Sequence, residues 1–153
     1  SYISWSEIPV DFSPNEIEFD VLVPPDNTGG SFGVMCQIQD EINYYSIEID
    51  LSNQVFSIAM VLNDELVPLT KPEWLDLTGM YTSEGSFNHL AISCYPKRVS
   101  LSINYLLLGQ SDFTGIKPIK IPGKMALFVA TWENVGAEGY QVYFDNVTAW
   151  IPK

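Results

Sequence analysis

The stretch from Ser86 to Gln110, SFNHLAISCYPKRVSLSINYLLLGQ, constrains the chain more than any other. Leu90, Ile92 and Cys94 alternate with Ala91, Ser93 and Tyr95. After a short break, Val99, Leu101 and Ile103 alternate with Ser100, Ser102 and Asn104. A period of two is that of a strand with one buried face. Pro96, in the break, has a fixed φ and no amide to give to a ladder, so Tyr95-Pro96-Lys97-Arg98 reads as a tight turn between two antiparallel strands.

The remaining segments can be placed around that hairpin. Residues 1–10 alternate briefly and end at Pro9, as an entering edge segment would. Glu16–Val23 sets Ile17, Phe19, Val21 and Val23 against Glu16, Glu18, Asp20 and Leu22, and turn formers over 24–30 stop it. Phe32, Val34, Cys36 and Ile38 share one side of the next strand. Tyr44–Asp50 and Gln54–Val61 make a second hairpin around Leu51-Ser52-Asn53, and a short strand lies near Glu65–Leu69. The longest connection, Thr70–Gly85, contains a Pro-Glu-Trp-Leu-Asp-Leu piece expected to form one helical turn led by Pro72. After the Asp112–Pro122 connection come Lys124–Thr131 and Gly139–Ile151. In the last, the apolar phase shifts from Val142 and Phe144 to Val147 and Ala149, which predicts a bulge at Asp145-Asn146. Roughly ten short strands without an amphipathic helix predict a single all-β domain over 1–153, an antiparallel sandwich or barrel, of which the sandwich is favoured, with no radial repeat.

Charge narrows the partners. Seven Lys plus Arg against nineteen Asp plus Glu give a net charge of −12, which repels the phosphates of a nucleic acid or an anionic membrane. No apolar run approaches the roughly 18 residues of a membrane span. Ser1 in place of Met is expected for a domain excised from a larger protein, whose other domains would be its neighbours, or for a processed product. Cys36 and Cys94 both fall in phase with core residues and are expected to be unreactive, either as two buried thiols or as a disulfide.

The order GVMCQIQDEINYYSIEID, NHLAISCY, VSLSINYLLLG and GKMALFVATWENVGAEGYQVYFDNVTAWIP resembles the concanavalin A-like lectin/glucanase superfamily over residues 31–153. It is most similar to bacterial domains allied to the 3-keto-disaccharide hydrolase group. It departs from them at Gln37, where those domains carry Arg, and at Asn104-Tyr105, where they carry Asn-Gly. The resemblance implies a jelly-roll β-sandwich of two packed antiparallel sheets, one concave, with sugars held at the concave face or its rim.

Laminarinase-like glycosidases of that superfamily carry Glu-x-Asp-x-x-Glu, or a form one residue shorter, on one strand. Glu48 and Asp50 match the first two positions, but Ser52 or Asn53 replaces the last acid, leaving nothing to protonate a leaving group. Catalysis is therefore not expected. His89, the single histidine, reads as structural. No cofactor is expected. Asp26-Asn27 and Asp145-Asn146 offer oxygen ligands suited to calcium, although a turn and a bulge account for them equally. What remains is ring presentation. Phe128 and Trp132 face outward if Met125, Leu127 and Val129 face inward. Tyr143 is exposed if Phe144 is buried, Tyr44 shares a face with Glu48 and Asp50, and Trp74 stands in the longest connection. The expected carbohydrate-binding residues are Tyr44, Glu48, Trp74, Trp132 and Tyr143, with Tyr44, Glu48, Trp132 and Tyr143 on one outward face. The leading expectation is a non-catalytic, lectin-like module of an extracellular or cell-surface protein, with a glycan as partner. A protein–protein or adhesion module of the same fold, and a glycoside hydrolase acting on a β-glucan or disaccharide, are the alternatives.

Overall fold

The computed structural model describes residues 2–22, 29–112, 118–119, 122–132 and 139–153. Among them it contains twelve strands and no helix. The wide sheet runs β1 (Tyr2–Glu7), β11 (Lys124–Thr131), β3 (Gly30–Asp40), β4 (Asn43–Asp50), β5 (Val55–Leu62) and β6 (Glu65–Pro68). The narrow sheet runs β10 (Leu106–Asp112), β9 (Arg98–Ile103), β8 (Phe87–Tyr95), β2 (Glu16–Leu22) and β12 (Tyr143–Trp150). Every pairing is antiparallel. The expected all-β jelly-roll sandwich is the observed fold.

Two local expectations are corrected. The Ser86–Gln110 stretch forms three strands, because the chain turns a second time at Asn104-Tyr105 between β9 and β10. Both turn residues have positive φ, 49° and 68°, the backbone hand that matches the twist of flanking strands. Such a conformation is uncommon for tyrosine, and here the Tyr105 ring stacks on His89 with centroids 5.0 Å apart. The second correction concerns Pro72–Leu77, which forms no helical turn. β6 pairs with Ala59–Leu62 and leaves the edge of Val55-Phe56 free; β7 (Leu75–Asp76) takes that edge, and Leu77 is buried just beyond it.

The core lies between the sheets. Phe32, Val34, Tyr45, Ile47, Phe56 and Ile58 meet Ile17, Phe19, Val21, Leu90, Ile92 and Leu101, and Phe144 packs edge-on against Phe19 and Phe32. Cys36 of β3 and Cys94 of β8 form a disulfide across this core, with Cα atoms 6.4 Å apart, which settles the alternative left open by the sequence. Beside it Gln37 is buried with φ of 50°. Its side-chain amide donates to the Cys94 carbonyl at 3.0 Å and its side-chain oxygen accepts from the Gly123 amide at 3.2 Å. The pairing of β3 shifts register on both sides at this point, so Gln37 sits at a bulge and fills its polar groups there. The bulge expected at Asp145-Asn146 is present, with a register shift between Asp145 and Thr148 and Asn146 at φ 52°.

One edge of the sandwich is open. β1 is exposed at all six positions. Leu127 and Val129 face the core from β11 but are only half-buried, because β12 is the last strand of the narrow sheet. A slot of about 620 Å³ lies between Ser4, Ser6, Leu127 and Val129 on one side and Tyr140, Val142 and Phe144 on the other.

Candidate functional site

Register places a row of side chains across the outer face of the wide sheet. Trp5, Phe128, Gly33, Glu48 and Ser57 stand opposite one another on β1, β11, β3, β4 and β5. Phe128 was expected to be exposed on this face; it does point away from the inter-sheet core but is only 4% exposed. The reason is Gly33. A Cβ there would stand 2.9 Å from the Phe128 ring and 1.8 Å from the Ile47 carbonyl oxygen, so the missing side chain is the space the ring fills. Phe128 thereby joins Met35, Ile38, Ala126 and Ala130 in a second apolar cluster, with Tyr44 packed against it.

A recess of about 310 Å³ opens beside that cluster. Trp5 and Tyr44 wall it, Ile3, Met35 and Ile38 supply apolar surface, and Asp40 and Glu41 line it as well. Trp5 is 40% exposed, so much of its indole faces solvent. Asp40 is held in place by accepting from the Ile42 amide at 3.0 Å and the Asn43 side-chain amide at 2.9 Å. Burial raises the Tyr44 hydroxyl pKa, with the charges of Asp64 and Glu48 adding to the effect, so this hydroxyl keeps its proton and remains a donor.

Glu48 lies on the same face. Burial pushes its carboxyl above the usual range; a hydrogen bond from Ser31 Oγ opposes the shift, and Asp50 and Glu73 reinforce it. Asp50 is almost wholly buried. It accepts from Ser52 Oγ at 2.7 Å, from the Asn53 amide at 3.0 Å and from the Asn53 side chain at 2.8 Å. The two residues that stand where a glucanase would carry its third acid are thus the donors that tie Asp50 into the β4–β5 turn.

Of the expected site residues, Tyr44 and Glu48 share this face. Trp74 is half-buried in the segment before β7, next to Glu73, whose charge reaches Glu48. Trp132 does not join them. It follows β11 at the end paired with Gly30, its amide donating to the Gly29 carbonyl at 2.9 Å, whereas Tyr44 lies near the other end of the sheet. Tyr143 belongs to the other sheet altogether, opposite Leu22 on β2, and its hydroxyl donates to Gln141 at 3.0 Å. The expected common face of Tyr44, Glu48, Trp132 and Tyr143 is therefore divided. Alternation tells which residues of one strand share a side, but not which sheet the strand joins. Trp5 was missed, although its signal was present: SYISWS alternates, and its pairing with β11 puts Ile3 and Trp5 on the Phe128 side.

The Asp26-Asn27 pair lies outside the described residues. Asp145 and Asn146 serve the bulge: Asp145 accepts from the Asn146 amide, and the Asn146 side chain donates to Asp20 at 2.8 Å. Among the described residues no three His, Cys, Asp or Glu side chains converge as a metal site would require.

The fold is an antiparallel jelly-roll sandwich that other solved structures share. Solved structures with the same architecture include the carbohydrate-binding module CBM66 from Bacillus subtilis, 15% identical, with a TM-score of 0.69 over 97% of this chain and 81% of that one. A toad ovary galectin in complex with thio-digalactose is 12% identical, with a TM-score of 0.60 over 97% and 98% of the two chains. A Bacillus licheniformis β-glucanase is 13% identical, with a TM-score of 0.61 over 93% of this chain and 68% of that one. No protein-family model matches the sequence, and no curated protein sequence matches it.

Proposed function

We propose that this domain is a non-catalytic carbohydrate-binding module acting outside the cell or at its surface, and that it holds a neutral or cationic glycan in the recess between Trp5 and Tyr44. The observation that carries the reading is that recess: two aromatic walls, a partly apolar lining, and Asp40 and Glu41 beside them. A sugar ring has one apolar face and a rim of hydroxyls, so a stacking indole with carboxylate acceptors and a phenolic donor nearby meets both. The carbohydrate-binding module and the galectin among the structural neighbours support the same reading. A net charge of −12 disfavours sulfated or uronic chains. Against glycoside hydrolysis stand the bonds that engage Asp50 within its turn and the absence of a carboxyl at positions 52 and 53. Kinship with the domains allied to 3-keto-disaccharide hydrolases rests on motif order alone. The Cys36–Cys94 disulfide supports an oxidising compartment.

Calorimetry against a panel of neutral, amino and anionic oligosaccharides tests the proposal. Trp5→Ala should weaken binding at least tenfold, since loss of a stacking ring costs about 1.5 kcal/mol or more. Folded Trp5→Ala protein that binds its glycan as tightly as the wild type would remove the recess from consideration.

A further inference from the structure

The outer face of the narrow sheet carries a second organised surface, remote from the recess. Register places Tyr143, Leu22 and Phe87 in one row across β12, β2 and β8, and Asp145, Asp20 and His89 in the next. Tyr105 stacks on His89 from the β9–β10 turn, so three rings surround this end of the sheet: Tyr105 is 88% exposed, Phe87 58% and Tyr143 53%. Along β2, Glu16, Glu18 and Asp20 occupy every second position of the same face. Neither β2 nor β12 contains a Lys or Arg.

The carboxylates are positioned but not used up. Glu16 accepts from Ser93 Oγ and, at 2.8 Å, from the Tyr95 hydroxyl. Asp20 takes His89 Nδ1 at 3.0 Å on one oxygen and the Asn146 amide on the other. Glu18, 44% exposed, has His89 Nε2 at 3.5 Å. Each carboxylate has about four acceptor positions, so capacity remains on all three. Hydrogen bonds to Asn146 and His89, with the His89 charge, hold the Asp20 carboxyl below its usual range and so keep it ionised.

We propose that this face docks a basic, extended segment of another protein. Charge complementarity selects Lys and Arg, which carboxylates bind directly and exposed rings attract by cation–π contact. Spacing selects a polypeptide: carboxylates at every second residue of a strand repeat at about 6.6 Å, the same interval at which an extended chain presents alternate side chains. A protein segment lies flat on such a sheet face, with rings at one end as anchors and the carboxylate ladder setting its register.

The test is fluorescence anisotropy with a labelled peptide of alternating Lys and Thr at low ionic strength. Glu18→Gln with Asp20→Asn should weaken binding about fivefold or more. Tyr105→Ala, an exposed site, should weaken it separately, with folding confirmed by circular dichroism. Glu65→Gln with Asp76→Asn removes the same net charge from the exposed edge of the wide sheet and should leave binding close to wild type. Equal losses in the two charge-neutralised pairs would reduce the effect to overall charge and overturn the proposal. So would the absence of any peptide binding.

Discussion

Removing the inter-sheet disulfide by Cys36→Ala with Cys94→Ala should lower the melting temperature by about 13 °C. The bond closes a loop of 58 residues. In the chain-entropy account, closing a loop of that length removes about 14 cal/mol/K from the unfolded ensemble, or about 4 kcal/mol at 25 °C. Unfolding entropy of about 2.1 cal/mol/K per residue gives about 0.3 kcal/mol/K for a chain of 153 residues, and the quotient is the expected shift. Differential scanning calorimetry reads it directly. The double variant also loses sulfur volume from the core, so wild-type protein reduced under denaturing conditions and refolded with reductant present is the matching control. It retains both side chains and should show the entropic loss alone. Both cysteines are fully buried, so native protein should resist reductant until it opens. A shift smaller than about 4 °C in the reduced wild type would refute the reasoning, because the loop would then not be what the bond stabilises.

Three further outcomes follow from particular contacts. Gly33→Ala should cost about 3 kcal/mol or more in urea unfolding, since its Cβ would collide with the Ile47 backbone and β3 and β4 would have to part; a cost below about 1 kcal/mol would contradict the packing. Because the Glu48 pKa is raised on folding, the native state holds that proton to higher pH than the unfolded chain, and the cost of the buried charge develops as pH rises from near 4.5 through the folded value. Glu48→Gln should therefore stabilise the protein at pH 7 and change little at pH 3, and equal effects at both would be inconsistent with that. The Tyr140 hydroxyl is buried without a hydrogen-bond partner among the described residues, its pKa pushed up by burial and then by Asp50, so Tyr140→Phe should raise stability by about 1 kcal/mol, seen as a higher midpoint; a loss of stability would mean the hydroxyl is satisfied.

Most of the fold was legible because a period of two assigns each strand an inside and an outside without reference to its neighbours. The core faces of β2, β4, β8 and β9 follow that alternation residue by residue. Legibility failed where the deciding contact came from elsewhere in the chain. Nothing within Pro72–Leu77 reports that β6 leaves the Val55-Phe56 edge free, and nothing in Asn104-Tyr105 reports that His89 offers the tyrosine a stacking partner. At the candidate site, Tyr44 and Glu48 could be paired in advance because they lie on one strand. Tyr143 was misplaced because sheet membership is set by long-range pairing, and Trp5 was overlooked because only its register with β11 brings it beside Phe128.

The wall that presents Trp5 is also an edge strand of the wide sheet. β1 is paired on one side only, and a Lys124–Glu7 ion pair at 2.7 Å and an Ile8 amide bond to the Met125 carbonyl fasten its trailing end. A six-residue edge strand of this kind opens at lower free energy than the strands it borders. The recess exists only while β1 is seated, so opening and occupancy exclude each other, and a ligand present at a hundred times its dissociation constant would hold the strand down by about 2.7 kcal/mol. Amide exchange confined to residues 2–7, slowed in proportion to ligand concentration while the core strands stay unchanged, would make this strand a reporter of occupancy that needs no label on the ligand.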